Sequence, residues 1–414
     1  MIFRYAVNCY IAALAAFLSN TVFALEISGH GSLDFRLYTQ SPSYAVQNDD
    51  TLNPSVMLQP EFRHEWHTGS NRITFVPFGR VDSQDKNRTH FDIRELNWFH
   101  VANSWDLKLG VSRTFWGTTE SRHLVDVINQ IDLVENLYGE AKLGQPMVNF
   151  NYLSDFGNFS LFYLPYFRDR TFPARSGRLR FEFPVDTHDP IFDGIDRWHP
   201  SFAGRWDHTI GPWDIGIAHF WGIGREPSLR FFDEGILPNQ STSTLTPLYE
   251  LIHQTSIDIQ GAIDNWLWKL EAMTRSGQGS GRFAAVVAGF EYSFYGILNS
   301  NADMGILLEY LYDGRDITAP PTPFDNDVYF GVRLNLNDVS DTQLIVGNTI
   351  DLETQASIFK LNASRRLDEK WKIEAETTLF LNVAPNDFTK GQSTDILTGM
   401  RKDDYFQIRL IRFF

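Results

Sequence analysis

The chain has 414 residues, of which 43% are hydrophobic and 14% aromatic, with one cysteine and a formal net charge of -15. The hydrophobic and aromatic content excludes a globally disordered chain. The acidic balance argues against general nucleic-acid binding, which normally depends on a basic surface, so we expect no nucleic-acid partner. The length would suit two or three domains, although a closed β architecture of this size can form one.

The first 24 residues have the composition of an export signal. Arg4 precedes a short apolar run over residues 11–18. Val22 and Ala24 then occupy the -3 and -1 positions of a signal-peptidase site, where small residues are required. The apolar run is too short to cross a bilayer as a helix. We therefore predict a signal peptide over residues 1–24, cleaved near Ala24, and a single domain over residues 25–414. Cleavage would remove the single cysteine and with it any disulfide or thiolate metal site.

Apolar and polar residues alternate with a period of two through most of the remaining chain. Trp371, Ile373 and Ala375 begin one apolar face, and Lys372 and Glu374 begin the opposite face. Such segments predict β-strands with one apolar and one polar face. The sequence beyond the signal has no second apolar run long enough for a membrane helix.

Three features favour a membrane barrel over a soluble β-sandwich. The predicted strands have about 10 to 12 residues, which suits a tilted crossing of a bilayer. Short and long connections alternate, as in outer-membrane barrels; the long ones are residues 39–54, 114–144, 168–200, 222–249 and 383–401. Aromatic girdles are typical of such barrels, and tryptophans lie at strand ends: Trp98, Trp105, Trp206, Trp213, Trp266 and Trp371.

The C-terminal segment ends in Phe414, with Phe406, Ile408 and Leu410 on the same face. It resembles the last strand of bacterial outer-membrane β-barrels, whose terminal residue is recognised by the assembly machinery. Arg412 departs from that pattern, but a cation near the rim of a barrel costs little. The resemblance implies a bacterial outer-membrane location, contact with lipid and lipopolysaccharide, and Phe414 as an assembly signal. It leaves open whether the chain forms homo-oligomers.

The whole pattern predicts an all-β, transmembrane, antiparallel up-and-down barrel of about eighteen strands. Sixteen strands is the alternative, because the segments 90–113 and 201–221 are the least regular. A barrel of either size has a lumen too wide for strand side chains to fill, so loops would narrow a water channel. The predicted strands are 26–38, 55–67, 71–81, 90–101, 105–113, 145–153, 159–167, 201–209, 213–221, 250–262, 266–275, 282–294, 303–313, 326–336, 342–351, 356–366, 371–382 and 403–414.

Residues 114–144, the third external loop, form the predicted constriction. Leu124, Val127, Ile128 and Ile131 have helical spacing, which predicts a short helix with an apolar stripe. Folding inward against the barrel wall would bury that stripe, and the arrangement resembles porins, whose third external loop sets the pore size. The alternative is an external loop packed on its neighbours.

The loop is acidic, and the alternation of apolar and polar residues along each strand predicts which charged side chains lie on the lumenal face opposite the loop. Charged side chains are costly in lipid and cheap in water, so we place the strand charges in the lumen. The alternative is that these charges solvate a wide lumen and pair with one another across strands. The predicted pore-lining residues are Asp126, Asp132 and Glu135 on the loop, and Arg36, Arg63, Arg72, Arg80, Lys372 and Arg409 on the strands.

The sequence contains no convincing enzyme motif. His64 and His67 lie three residues apart on a predicted strand, whereas a zinc-protease motif has two histidines four apart on a helix. We therefore predict a non-enzymatic, porin-like channel for small hydrophilic solutes, with no catalytic residue, metal or cofactor. Its size resembles the eighteen-stranded substrate-selective porins and alginate-export-type barrels, but no motif selects a solute. The alternatives are a structural or adhesive barrel, or an outer-membrane lipase with its active site at the rim.

Overall fold

The computed structural model describes residues 25–137, 139–231, 243–385 and 396–414. The predicted signal peptide lies outside the described residues. The chain forms one closed barrel of eighteen antiparallel strands. They are β1 (Leu25–Tyr38), β2 (Leu52–Trp66), β3 (Asn71–Asp82), β4 (His90–Val101), β5 (Trp105–Ser112), β6 (Gln145–Ser154), β7 (Gly157–Leu164), β9 (Ser201–Ile210), β10 (Trp213–Ile223), β13 (Leu251–Ile263), β14 (Trp266–Ser276), β15 (Phe283–Phe294), β16 (Asp303–Asp313), β17 (Asn326–Asn335), β18 (Gln343–Asp351), β19 (Ser357–Arg366), β20 (Trp371–Leu381) and β21 (Tyr405–Phe413).

Three short strands in the long loops form a separate small sheet: β8 (Ile191–Phe192), β11 (Ser228–Phe231) and β12 (Leu245–Tyr249). The prediction of eighteen barrel strands is confirmed, including the least regular segments, and the alternative of sixteen is wrong. In the described residues, no helix is both long and apolar enough to cross a membrane.

The barrel is closed by pairing between its first and last strands. β1 pairs with β21 from His30 opposite Phe413 to Tyr38 opposite Tyr405, and its other edge pairs with β2. Each barrel strand therefore has a hydrogen-bonded neighbour on both sides. The described barrel sheet therefore has no edge strand that could template aggregation or face lipid with unpaired polar groups.

The two faces of the sheet are reversed relative to a soluble protein. On β1 the apolar side chains of Leu33, Phe35 and Leu37 are 44%, 45% and 42% exposed, whereas those of Asp34 and Arg36 are 1% and 6% exposed. Polar residues thus point into the barrel and apolar residues point outward. An outward apolar band around an inward polar surface suits a barrel surrounded by lipid.

Aromatic residues cluster at the end of the barrel where the connections are short. Trp266 begins β14, and its ring contacts those of Trp268 and Tyr292 at centroid distances of 5.5 and 4.6 Å. At the same end, the guanidinium of Arg412 lies 5.3 Å from the ring centre of Trp371. This cation–π contact explains how the C-terminal strand accommodates an arginine where an apolar residue is usual.

The prediction of a helix in loop 114–144 is wrong, because over residues 121–137 the structure shows turns, bends, irregular backbone and one isolated β-bridge from Ile131 to Lys142. Val127 and Ile128 are nevertheless buried. Within this segment the backbone N–H groups of Ser121 and Val125 are bound by Glu309 and Glu271 of the barrel wall. The short helix of the described residues is α1 (Ile396–Met400), in the last long loop.

A charge on the outward face should destabilise the barrel, and the same charge in the lumen should not. Ile408 on β21 is 52% exposed on the outer face, and Asn362 lies at nearly the same height on the inner face. Ile408→Arg should lower the free energy of unfolding in lipid vesicles by about 2–4 kcal/mol. Asn362→Arg, the matched control, should change it by less than about 1 kcal/mol. Equal effects in denaturant titrations would contradict the assignment of the two faces.

Candidate constriction and charged lumen

Loop 114–144 crosses the inside of the barrel. It leaves from β5, the fifth strand of the ring, and reaches β14 and β16, the eleventh and thirteenth. There the backbone N–H of Thr118 donates to Oε1 of Glu271 over 2.7 Å, and the N–H of Ser121 donates to Oε2 of Glu309 over 2.8 Å. Because these carboxylates point inward from the far side of the ring, the loop spans the lumen.

Glu271 and Glu309 are the principal anchors of the loop. Glu271 also accepts hydrogen bonds from the N–H groups of Thr119 and Val125, and Glu309 accepts one from the N–H of Glu120. Both side chains are almost completely buried. A buried carboxylate is costly unless it accepts several hydrogen bonds, and the irregular loop backbone supplies them. Neither residue was among the pore-lining residues predicted from the sequence, although both occupy inward positions of their strands.

Asp132 fastens the same loop to the near wall. One oxygen lies 2.5 Å from Nη2 of Arg94 on β4, and the other accepts a hydrogen bond of 2.7 Å from the hydroxyl of Thr171. His90 lies 3.4 Å away. Burial alone would raise the pKa of Asp132, but the hydrogen bond from His90 and the charge of Arg94 lower it to about 2. The carboxylate is therefore ionised and structural at neutral pH.

Glu135 joins the loop to a chain of charges at the barrel closure. It lies 2.8 Å from Nε of Arg80 on β3, whose Nη1 lies 2.7 Å from Asp34 on β1. Asp34 in turn lies 3.3 Å from Arg409 on β21, and Arg409 lies 3.3 Å from Glu374 on β20. One continuous set of ion pairs thus connects the loop with four strands.

Two further predicted site residues, on β20 and β1, pair with neighbouring side chains. Lys372 lies 2.8 Å from Glu374, next to Arg409. Arg36 donates to Gln407 over 3.0 Å and stacks on Tyr405.

The remaining predicted residues form no contact with this chain of ion pairs between Glu135 and Glu374. Asp126 is buried and pairs with Lys142 of its own loop at 2.7 Å; burial raises its pKa, against the charge of Lys142. Arg63 pairs with Glu65, and Arg72 stacks on Phe99, both near the short-turn end.

A lumenal cavity of about 490 Å³ lies between the loop and strands β17–β21. The side chains around it carry charges of both signs in nearly equal number. At its border Glu140 of the loop lies 3.6 Å from Lys360 of β19. The charged lining residues are Arg80, Arg333, Lys360, Lys372 and Arg409, with Glu135, Glu140, Glu374 and Glu376.

A second cavity of about 200 Å³, here called the loop cavity, lies on the other side of the same loop. Residues 133–137 and 139–142 form the partition between the two. Their side chains divide between the cavities, because Glu135 and Glu140 line the lumenal cavity and Leu133 and Leu137 line the loop cavity. The partition is the tip of a small hairpin, in which the N–H of Asp132 donates to the carbonyl of Ala141 over 2.9 Å.

No protein-family model matches the chain, and no curated protein matches it. Solved structures with a similar barrel include one named "Asymmetric conductivity of engineered proteins", which is 10% identical with a TM-score of 0.43. A triple mutant of the Rhodopseudomonas blastica porin is 9% identical, also with a TM-score of 0.43. Each alignment covers 94% of this chain and 100% of the other. Similarity at this level is too low to support an inference, so the architecture rests on the strand pairing of this chain.

Asp132→Asn should release the loop from the near wall. The substitution leaves Arg94 buried beside a neutral amide, and breaking one partner of a buried ion pair costs about 3–5 kcal/mol. Trypsin should then cleave after Arg122 or Lys142 at least about tenfold faster than in the wild-type barrel.

Asp169→Asn is the matched control, because Asp169 pairs with Arg197 in a partly exposed ion pair. Such pairs contribute about 0–1 kcal/mol, so cleavage should hardly change. Equal protection of the loop in Asp132→Asn and wild-type protein would show that Asp132 does not anchor it.

Proposed function

We propose that the protein is a passive outer-membrane channel for small hydrophilic solutes, with loop 114–144 as its constriction. The observation that carries the proposal is a closed eighteen-stranded barrel whose interior holds a charge-lined cavity beside an inward loop. A lumen lined by charges favours water and polar solutes over a dry core. The outward apolar band and the grouping of short turns at one end support placement in a membrane.

The contacts refine which residues act at the constriction. Asp126 and Asp132 are buried in ion pairs within the loop or against the near wall. We assign them to holding the loop in place. Glu135 and Glu140 border the lumenal cavity and face Arg80 and Lys360 of the wall, at 2.8 and 3.6 Å. Acids on the loop opposite cations on the wall create a transverse field that would orient charged solutes.

Single charge changes at this border should shift ion selectivity in opposite directions. Glu140, which is 60% exposed, lies beside Lys360. Glu140→Gln makes the border more positive, so the channel should become more selective for anions; Lys360→Gln should make it more selective for cations. We expect the permeability ratio of K⁺ to Cl⁻ to change by about twofold in each case. The measurement is the reversal potential of single channels in planar bilayers under a salt gradient.

Glu353→Gln, in an external loop outside the cavity lining, is the control and should leave the reversal potential unchanged. Identical potentials in all four proteins would remove Glu140 and Lys360 from the ion path. A well-folded wild-type barrel that never conducts would reject the channel and favour a structural, adhesive or rim-located enzymatic role.

Phe414 is proposed as the signal for barrel assembly. Its backbone N–H donates to the carbonyl of Gly29 over 3.1 Å, and its side chain is half exposed beyond the end of β21. Little packing depends on the ring, so deleting Phe414 should impair assembly in cells much more than stability in vitro. We expect the amount of folded barrel in the membrane to fall by about tenfold, with refolding from urea into detergent retained.

Phe156→Ala is the control, because Phe156 is an exposed aromatic at a short turn away from the terminus. It should assemble normally. Normal membrane yield of the chain lacking Phe414 would disprove the assignment.

A further inference from the structure

The loop cavity combines an apolar wall with an excess of cations. Its lining comes from loop 114–144, from the long loops 168–200, 222–249 and 383–401, and from the connection 314–325, together with the long-loop ends of β14, β19 and β20. Apolar side chains supply one part of the surface. They include Leu133, Leu137, Phe181, Phe324, Ile358 and Met400.

Some of the cations at this cavity have acidic partners. Arg122 lies 3.1 Å from Asp313, and Lys142 lies 2.7 Å from Asp126. Arg275 lies 2.9 Å from a carboxylate oxygen of Glu226. These three cations are neutralised in place.

Arg225 and Arg170 form no ion pair of this kind. Burial lowers the pKa of Arg170, and the charge of Glu226 partly opposes that shift. Nε and Nη1 of Arg225 donate to the backbone carbonyls of Ile128 and Ile223, at 3.0 and 3.2 Å, and Nε of Arg170 donates to the side chain of Gln130 at 3.2 Å. Within the described part of the chain, neither guanidinium has a carboxylate within 4.0 Å. Nη2 of each is buried without a hydrogen bond to described residues.

The surroundings of Arg225 hold it rigidly. Its side chain is almost completely buried, between the rings of Phe167 and Phe220 at 5.2 and 5.3 Å. Burial lowers the pKa of Arg225 to about 9, so the group keeps its charge at neutral pH. The rings orient the guanidinium but supply no counter-charge.

A buried cation without a counter-ion is costly, and a bound anion would remove that cost. The adjoining wall is apolar and would accept a hydrocarbon group rather than an inorganic anion alone. We propose that the loop cavity binds amphipathic monocarboxylates, with the carboxylate beside Arg225 and Arg170 and a short alkyl body against Leu133, Leu137 and Phe324. A cavity of about 150 Å³ holds a benzene ring, so about 200 Å³ admits a chain of roughly six carbons.

The site also has a place in the proposed channel, and its role in transport rests on that proposed function. The loop cavity lies on the long-loop side of the partition, and the lumenal cavity lies beyond it. A carboxylate that leaves Arg225 and passes the partition meets Arg80, Lys360 and Arg409 on the lumenal side. The site would therefore select anions with an apolar group before they reach the narrow region.

The experiment measures binding separately from conduction. Isothermal titration calorimetry on the full-length barrel in lipid nanodiscs compares hexanoate with hexanamide, its neutral isostere, and with acetate, which lacks the chain. We expect hexanoate to bind with a Kd of about 1 mM or tighter, and each of the other two at least about tenfold more weakly. Arg225→Gln and Arg170→Gln should each weaken hexanoate binding by about tenfold or more.

Arg365→Gln is the matched control, because Arg365 pairs with Asp338 at the short-turn end and should leave hexanoate binding unchanged. If Arg225→Gln fails to fold, Arg170→Gln and the comparison of the three ligands still test whether the loop cavity binds hexanoate. Hexanoate that binds no better than hexanamide or acetate, or that binds folded Arg170→Gln as tightly as wild type, overturns the site. Binding by a barrel that does not conduct would retain the site and reject the channel, and conduction without selective binding would do the reverse.

Discussion

The closure of the sheet between β1 and β21 is the constraint on which the rest of the structure depends. Once each strand is paired on both sides, the backbone needs no further partner, and the two faces of the sheet are separated completely. Apolar side chains face outward, and polar side chains such as Asp34 and Arg36 face a closed interior. Those inward charges are removed from bulk solvent by the loops and must find partners inside the barrel.

Loop 114–144 supplies many of those partners, and the barrel wall in turn supplies hydrogen-bond acceptors and ion-pair partners for the loop. Glu271 and Glu309 accept hydrogen bonds from backbone N–H groups of the loop, so the loop N–H groups and the buried carboxylates satisfy one another. On the near wall, Asp132 and Glu135 neutralise Arg94 and Arg80. The loop is therefore held from opposite sides of the ring. A segment anchored at both walls is a fixed obstruction rather than a loosely attached lid.

The same loop divides the interior into two different environments. On one side of the partition the lining carries charges of both signs in nearly equal number. On the other side, apolar side chains lie beside Arg225 and Arg170, for which the described residues provide no carboxylate within ion-pair distance. Under the function proposed above, this division would separate recognition of the solute from the passage of water and ions. It also explains why acidic residues close in sequence differ in role, since Asp132 anchors the loop while Glu135 borders the lumenal cavity.

The sequence by itself determined the strands and their inward faces, because a period of two is a local property that each segment carries independently. It left the number of strands at eighteen or sixteen. The lumenal positions of Arg80 and Arg409 followed from that phase. The tertiary structure decided the conformation of the loop and the partners of its acids. The spacing of Val127 and Ile128 indicated burial, but it could not show that the N–H of Val125 would bind Glu271 instead of a helical carbonyl. Thr119 and Glu271 are 152 positions apart, and only closure of the ring brings them together.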